Sequence, residues 1–263
     1  VKIFGKIGLF GLAAIAVSSA PALATTITFS GSGTGVSGAS LAAQAIFEFA
    51  NDTLTVTLIN VATGDNTTPL PGQDVPGNTL TGVFFDLTGN PILSPVSATI
   101  GEELIVQGNL CSIGPCGTSQ TNVGGEFRYD TGVFPGGADQ GIASAGYIGG
   151  VGNFGGPNLD GPPSGAVNGI NFGIISDDPN FDPNGGLAVP LILHQVVFML
   201  TGVDGLSADD VSNVSFQYGT SLTEPIITGD CVDCTQDTPE PTTLLLLGCG
   251  LAALGLYRRR PRA

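Results

Sequence analysis

The chain has 263 residues and a formal net charge of −15 at pH 7, with 7 Lys plus Arg against 22 Asp plus Glu. Of the basic residues only Arg128 lies between residues 25 and 237, whereas every acid except Glu240 lies there; such a body repels nucleic acid, whose binding rests on Lys and Arg neutralising phosphates, and attracts divalent cations or cationic partners, although solubility outside the cell explains the same charge. With 41 Gly and 18 Pro the composition argues against a helical protein, and an apolar fraction of 42% gathered into strand-sized runs argues against disorder over most of the chain.

In chain order, Lys2 and Lys6 precede an apolar run from Ile7 to Val17, a break at Ser18–Pro21, and the small residues Ala22 and Ala24. This is the pattern of a secretory signal peptide cleaved after Ala24, and its apolar run is short of the roughly 20 residues of a membrane-spanning helix. Thr26–Phe29 alternates as a first strand, and 31–38 is a glycine-rich turn region. Ala45–Phe49 and Thr53–Ile59 flank Asn51-Asp52 and predict a hairpin. In the second arm Leu54, Val56 and Leu58 share one face and Thr53, Thr55 and Thr57 the other, as in an antiparallel sheet with one wet side. Further strands are expected at 80–87, 96–100, 104–106, 126–129, 170–175, 191–200 and 214–218, with the longest irregular stretch over 138–169. The run LILHQVVFML (191–200) is apolar on both faces and predicts a strand buried on both sides. Short strands with turns between them indicate an all-β fold, a single antiparallel β-sandwich with jelly-roll-like connections and long Gly/Pro-rich loops.

Four body cysteines in an exported chain imply disulfides. Cys111 with Cys116 and Cys231 with Cys234 are the neighbouring pairs; cross-pairing and a zinc site are the alternatives. No βαβ pattern surrounds the C-x-x-C of Cys231 and Cys234 that would make it a redox centre. Asp177–Gly186 sets oxygen-bearing side chains at alternate positions, and Asp178, Asp182 and Asn184 are candidate Ca²⁺ ligands. The EF-hand registers fail there, at Pro183 or at Leu191, so a plain acidic turn is the competing interpretation. Asp209-Asp210 after Ser207 reads as a helical turn with Ser207 as N-cap, a metal or partner contact being the alternative. Gly150–Gly155 matches G-x-G-x-x-G, but the following Gly-Pro segments forbid the helix a nucleotide site needs. His194, the single histidine, sits mid-strand and reads as structural.

The chain ends in Pro239-Glu240-Pro241, the 14-residue apolar run Leu244–Tyr257, and Arg258-Arg259-Arg260 with Arg262. The prolines keep the approach extended, the run forms a hydrophobic helix, and the arginines hold the C-terminal end on the cytoplasmic side. This order of three parts resembles the PEP-CTERM sorting signal of Gram-negative bacteria. The resemblance implies that an exosortase recognises and processes the tail, and that the protein belongs with surface or extracellular proteins associated with exopolysaccharide and biofilm. More loosely, NDTLTVTLIN, LTGVFFDLTG, GGEFRYD and NVSFQYGTSLTEP are similar to segments of exosortase-dependent surface proteins of unknown activity, which carry over no catalytic residues.

The expected organisation is a signal peptide over 1–24, a β-sandwich over 25–219, a tether over 220–237 and a sorting tail over 238–263. The expected function is that of a non-enzymatic exported surface or matrix protein. It would pass through an inner-membrane-tethered precursor, held transiently by its C-terminal helix, to the cell surface or medium, with the exosortase and exopolysaccharide as partners and no nucleic acid. A calcium-dependent glycan- or partner-binding module is the alternative, with sugar stacking left to Tyr or Phe because tryptophan is absent. A secreted polysaccharide hydrolase comes third: a pair of distant carboxylates would leave no local signature.

Overall fold

The computed structural model describes residues 24–35, 38–63, 79–100, 105–106, 122–144, 158–159, 172–176, 191–219 and 224–234. These form fourteen strands: β1 (Thr25–Thr34), β2 (Ser40–Ala50), β3 (Thr53–Asn60), β4 (Leu80–Leu87), β5 (Ser94–Thr99), β6 (Ile105–Val106), β7 (Arg128–Thr131), β8 (Gln140–Ala143), β9 (Gly173–Ile175), β10 (Leu191–Leu193), β11 (Gln195–Thr201), β12 (Val211–Tyr218), β13 (Ile226–Thr228) and β14 (Asp230–Cys231). One sheet runs β14-β1-β2-β3-β11-β5. The other runs β13-β12-β4-β9-β10-β6, with β8 on β4 and β7 on β8.

The all-β expectation holds, and two details differ. Strands β1 to β3 form a meander within one sheet, where jelly-roll connections were expected, and β9 pairs with β10 in parallel. The meander follows from local sequence. Asn51 takes φ 55 at the first position of a two-residue turn, a conformation Asn tolerates better than most residues. That turn sets Ala50 opposite Thr53 and fixes the register back to Ala43 opposite Asn60. The Asp52 carboxylate and carbonyl both accept the Gly202 N–H, at 3.0 and 3.2 Å, and tie the hairpin tip to the end of β11.

The alternating residues of β2 and β3 (Leu41, Ala43, Ala45, Phe47, Phe49; Leu54, Val56, Leu58) are all buried. Phe47 stands at the centre of the layer. Its ring meets Phe29 edge-on at 5.9 Å within the same sheet, and Phe85 of β4 at 5.0 Å across the sandwich. Phe127 and Phe198 make a second edge-on contact at 4.9 Å. Phe84 turns to the opposite face of β4 and stacks on Phe134, with a ring separation of 5.2 Å, in a small satellite cluster with Ala138 and Ala143. β4 is therefore covered on both faces.

The 191–200 run is not one strand buried on both sides. It breaks at His194, which adopts φ 75. β10 lies in the second sheet and β11 in the first, where Val196, Phe198 and Leu200 are fully buried while Met199 is 40% exposed. His194 is the corner: its N–H donates to the Ile175 carbonyl of one sheet at 2.8 Å, and its carbonyl accepts from the Asn60 N–H of the other at 2.9 Å. Asn60 strengthens that corner. Its Nδ2 donates to the Ile174 carbonyl at 2.9 Å, and its Oδ1 accepts from the Ala62 N–H at 3.2 Å.

The glycine-rich stretch 31–34 also departs from expectation, since it continues β1 instead of turning. Gly82 is required by packing: a Cβ there would stand 2.6 Å from the Ala143 Cβ where β4 meets β8.

Two substitutions test these roles. Phe47→Ala is expected to cost about 3–5 kcal/mol through lost transfer energy and a residual cavity. Asn60→Ala is expected to cost about 1–3 kcal/mol by leaving buried backbone groups unmatched. Both should appear in urea unfolding as a lower midpoint with an unchanged slope.

Candidate functional site

The C-terminal end of the described chain was expected to be a tether. Residues 224–234 are instead built into the sandwich. After Gly219 (φ 85) the chain returns along β12, so that the Tyr218 N–H donates to the Pro225 carbonyl at 3.0 Å. β13 then pairs with β12, with Phe216 opposite Ile227. At Gly229, whose N–H reaches the Val214 carbonyl at 2.8 Å, the chain crosses to the other sheet. There β14 pairs with β1, with Ser30 opposite Asp230 and Phe29 opposite Cys231, and the Val232 N–H donates to the Thr28 carbonyl at 2.9 Å.

One segment thus lines the same edge of both sheets. The glycines of β1 permit this: a Cβ on Gly31 would lie 2.6 Å from the Thr228 carbonyl, and one on Gly33 would lie 3.1 Å from the Ile227 side chain. Ile227 is buried in the main core, and Cys231 packs against it. The Cα atoms of Cys231 and Cys234 are 5.7 Å apart with their sulfurs in contact, an arrangement that fits a disulfide. The short C-x-x-C after β14 is therefore a structural feature of the strap.

Of the candidate disulfide, calcium and sorting residues singled out from sequence, only Cys231 and Cys234 fall within the described structure. Cys111, Cys116, Asp178, Asp182, Asn184, Pro239, Glu240, Pro241, Arg258, Arg259 and Arg260 lie outside the described residues, as does Gly150–Gly155. Asp209-Asp210 belong to a 3-10 turn, Ala208–Asp210. The Asp210 carboxylate caps it by accepting from the Ser207 N–H at 2.9 Å and the Ser207 hydroxyl at 3.1 Å, while the Ala208 N–H donates to the Thr25 hydroxyl at 3.0 Å.

Several polar groups emerge only in three dimensions. Arg128, the body's single cation, donates from Nε to Asn158 Oδ1 at 2.7 Å, and Asn158 Nδ2 donates to the Gly125 carbonyl at 2.7 Å. The Tyr129 hydroxyl donates to Gln140 Oε1 and accepts from the Leu93 N–H. Gln140 Nε2 in turn donates to Asn90 Oδ1 at 2.7 Å and the Pro91 carbonyl at 3.1 Å, which pins the loop between β4 and β5. Burial pushes the Tyr129 hydroxyl up to about 12. A cleft of about 720 Å³ is lined by residues that include Thr25, Phe49, Asp52, Asp204 and Leu206. Among the described residues there is no group of three or more His, Cys, Asp or Glu placed to hold a metal, and no helix long and apolar enough to cross a membrane.

Glu126 is one of the buried polar groups that the described structure does not fully satisfy. It is 7% exposed, and its Oε2 has no hydrogen-bond partner among the described residues. Burial raises its carboxyl above the usual 4.5. A raised carboxyl favours the fold below its unfolded value, and that contribution is lost as pH rises through the folded value. Glu126→Gln is therefore expected to raise the urea midpoint at pH 7, with the gain over wild type narrowing as pH falls through the raised folded value and gone below about 4.5; equal gains at pH 7 and below pH 4.5 would contradict it.

Comparison with known proteins places one family model on the chain, the PEP-CTERM protein-sorting motif, over residues 237–260. No curated protein and no solved structure matches the chain. The match begins three residues beyond Cys234, where the described strap ends. The chain thus carries a PEP-CTERM sorting motif, and with it the mark of an exported protein whose sorting depends on an exosortase.

Proposed function

We propose that the β-sandwich is the delivered cargo: a non-enzymatic protein of the cell surface or extracellular matrix, associated with exopolysaccharide. Its precursor is held at the inner membrane by the apolar run 244–257 and the arginines 258–260 until the exosortase processes the tail. The observation that carries this proposal is the sorting motif at 237–260 directly behind a strap that finishes the fold. The uses found for the body's polar groups agree with it. Arg128 clamps Asn158, Tyr129 and Gln140 pin a loop, and Asn60 braces a corner, so these groups serve the scaffold. The acid-rich body suits a protein that stays soluble among other polymers outside the cell. Export to an oxidising compartment also supports disulfides at Cys231–Cys234 and between the neighbours Cys111 and Cys116.

The test is sorting itself. Replacing Arg258, Arg259 and Arg260 together with Gln should leave full-length protein in the membrane fraction, while wild type reaches the surface or medium without its apolar run. Fractionation and intact mass of both forms decide the matter. Identical distribution and mass for the two would contradict a processed tail.

A further inference from the structure

We propose that Cys231 and Cys234 form a redox-operated latch on the C-terminal strap, closed after export, which routes the pull of the sorting tail into the core of the sandwich. The inference rests on the exported, membrane-held precursor described above.

β14 is a weak strand by itself. It meets β1 through two residue pairs and the single further bond from Val232 to Thr28. Val232, Asp233 and Cys234 are exposed, Val232 by 56%. Cys231 alone among the four turns against the core cluster. Short exposed edge segments open at low free energy, and here the opening would begin next to Thr235, the first residue of the chain leading to the motif.

The bridge changes where tension enters. In the dithiol form, a pull on Thr235 runs along the backbone through Asp233 and Val232 and peels the Val232–Thr28 bond first. Three residues can extend to about 10 Å, but the closed bridge holds the two Cα atoms at 5.7 Å. The Val232–Asp233 arc then cannot be drawn taut. Tension passes from Cys234 through the sulfurs to Cys231, which is held by the ladder to Phe29 and by apolar packing.

Closure joins the two sulfurs and removes one hydrogen from each thiol. The two electrons and two protons pass to a protein disulfide oxidant of the export compartment, which leaves as its dithiol. Cytosolic thiols stay reduced, so the strap is loose before the chain crosses the membrane and fastened after it.

The experiment is hydrogen exchange on the full-length protein in three states: oxidised, reduced, and oxidised C231S/C234S, which leaves the other cysteines untouched. The Val232 amide should exchange more than about threefold faster in the reduced and variant forms, with a smaller change at Gly229, whose bond goes to the other sheet. An acceleration at Val232 below about threefold in both would overturn the latch. Mass mapping of protein recovered from the cell envelope separates the two ideas. Free thiols at Cys231 and Cys234 there would overturn the latch and leave sorting intact. Retention of wild type in the cytoplasm would overturn export, and with it the closing of the latch in the cell.

Discussion

A sheet ends in a row of backbone donors and acceptors, and a sandwich of two sheets has such rows on both flanks. The way this chain manages them governs the rest of the structure. On one flank a single segment, Ile226 to Val232, pairs first with β12 and then with β1, so both edges are lined by one piece of backbone. It can do so because Gly31 and Gly33 leave room for the Thr228 carbonyl and the Ile227 side chain. Elsewhere the sheets are joined at His194, whose N–H and carbonyl are committed to opposite layers. Exposed edges invite pairing with other chains, and a protein destined for a crowded surface is better served with its flank covered.

The same constraint explains the placement of scarce polar resources. With one arginine in the body, the fold has few charges to pair and many that repel. Cohesion comes from the edge-on Phe29–Phe47–Phe85 contacts across the layers and from neutral hydrogen bonds at the crossings, chiefly Asn60, Gln140 and Tyr129. Such bonds lose nothing to salt screening, unlike surface ion pairs. Glu126 is one cost left in this arrangement, a buried carboxyl with an unmatched oxygen among the described residues.

Much of this was legible in the sequence. The alternation in Thr53–Ile59 gave the face, and Asn51-Asp52 gave the turn, because both signals are local. The tail was legible because three chemically distinct parts occur in a fixed order. The break at His194 was hidden: apolar residues on both sides of a run read as one buried strand, and only the tertiary crossing shows that β10 and β11 face different layers. The strap was hidden for a related reason. Pro225, Gly229 and the flanking acids have the composition of a linker, and their pairing partners lie far away in sequence, in β1 and β12. Gly31 and Gly33 have the local look of turn residues, whereas their missing side chains admit that distant segment. The candidate calcium turn at Asp178, Asp182 and Asn184 lies outside the described residues, and the buried network around Tyr129 has no local pattern to announce it.

The most direct test of the edge-closure account compares two truncated bodies, residues 25–219 and residues 25–234, by urea unfolding followed with far-UV and aromatic signals. If the strap completes the fold, the longer form unfolds in one cooperative transition, and the shorter form is markedly less stable or fails to fold. Equal midpoints for the two would show that the sandwich is finished at Gly219 and that residues 224–234 only lie against it.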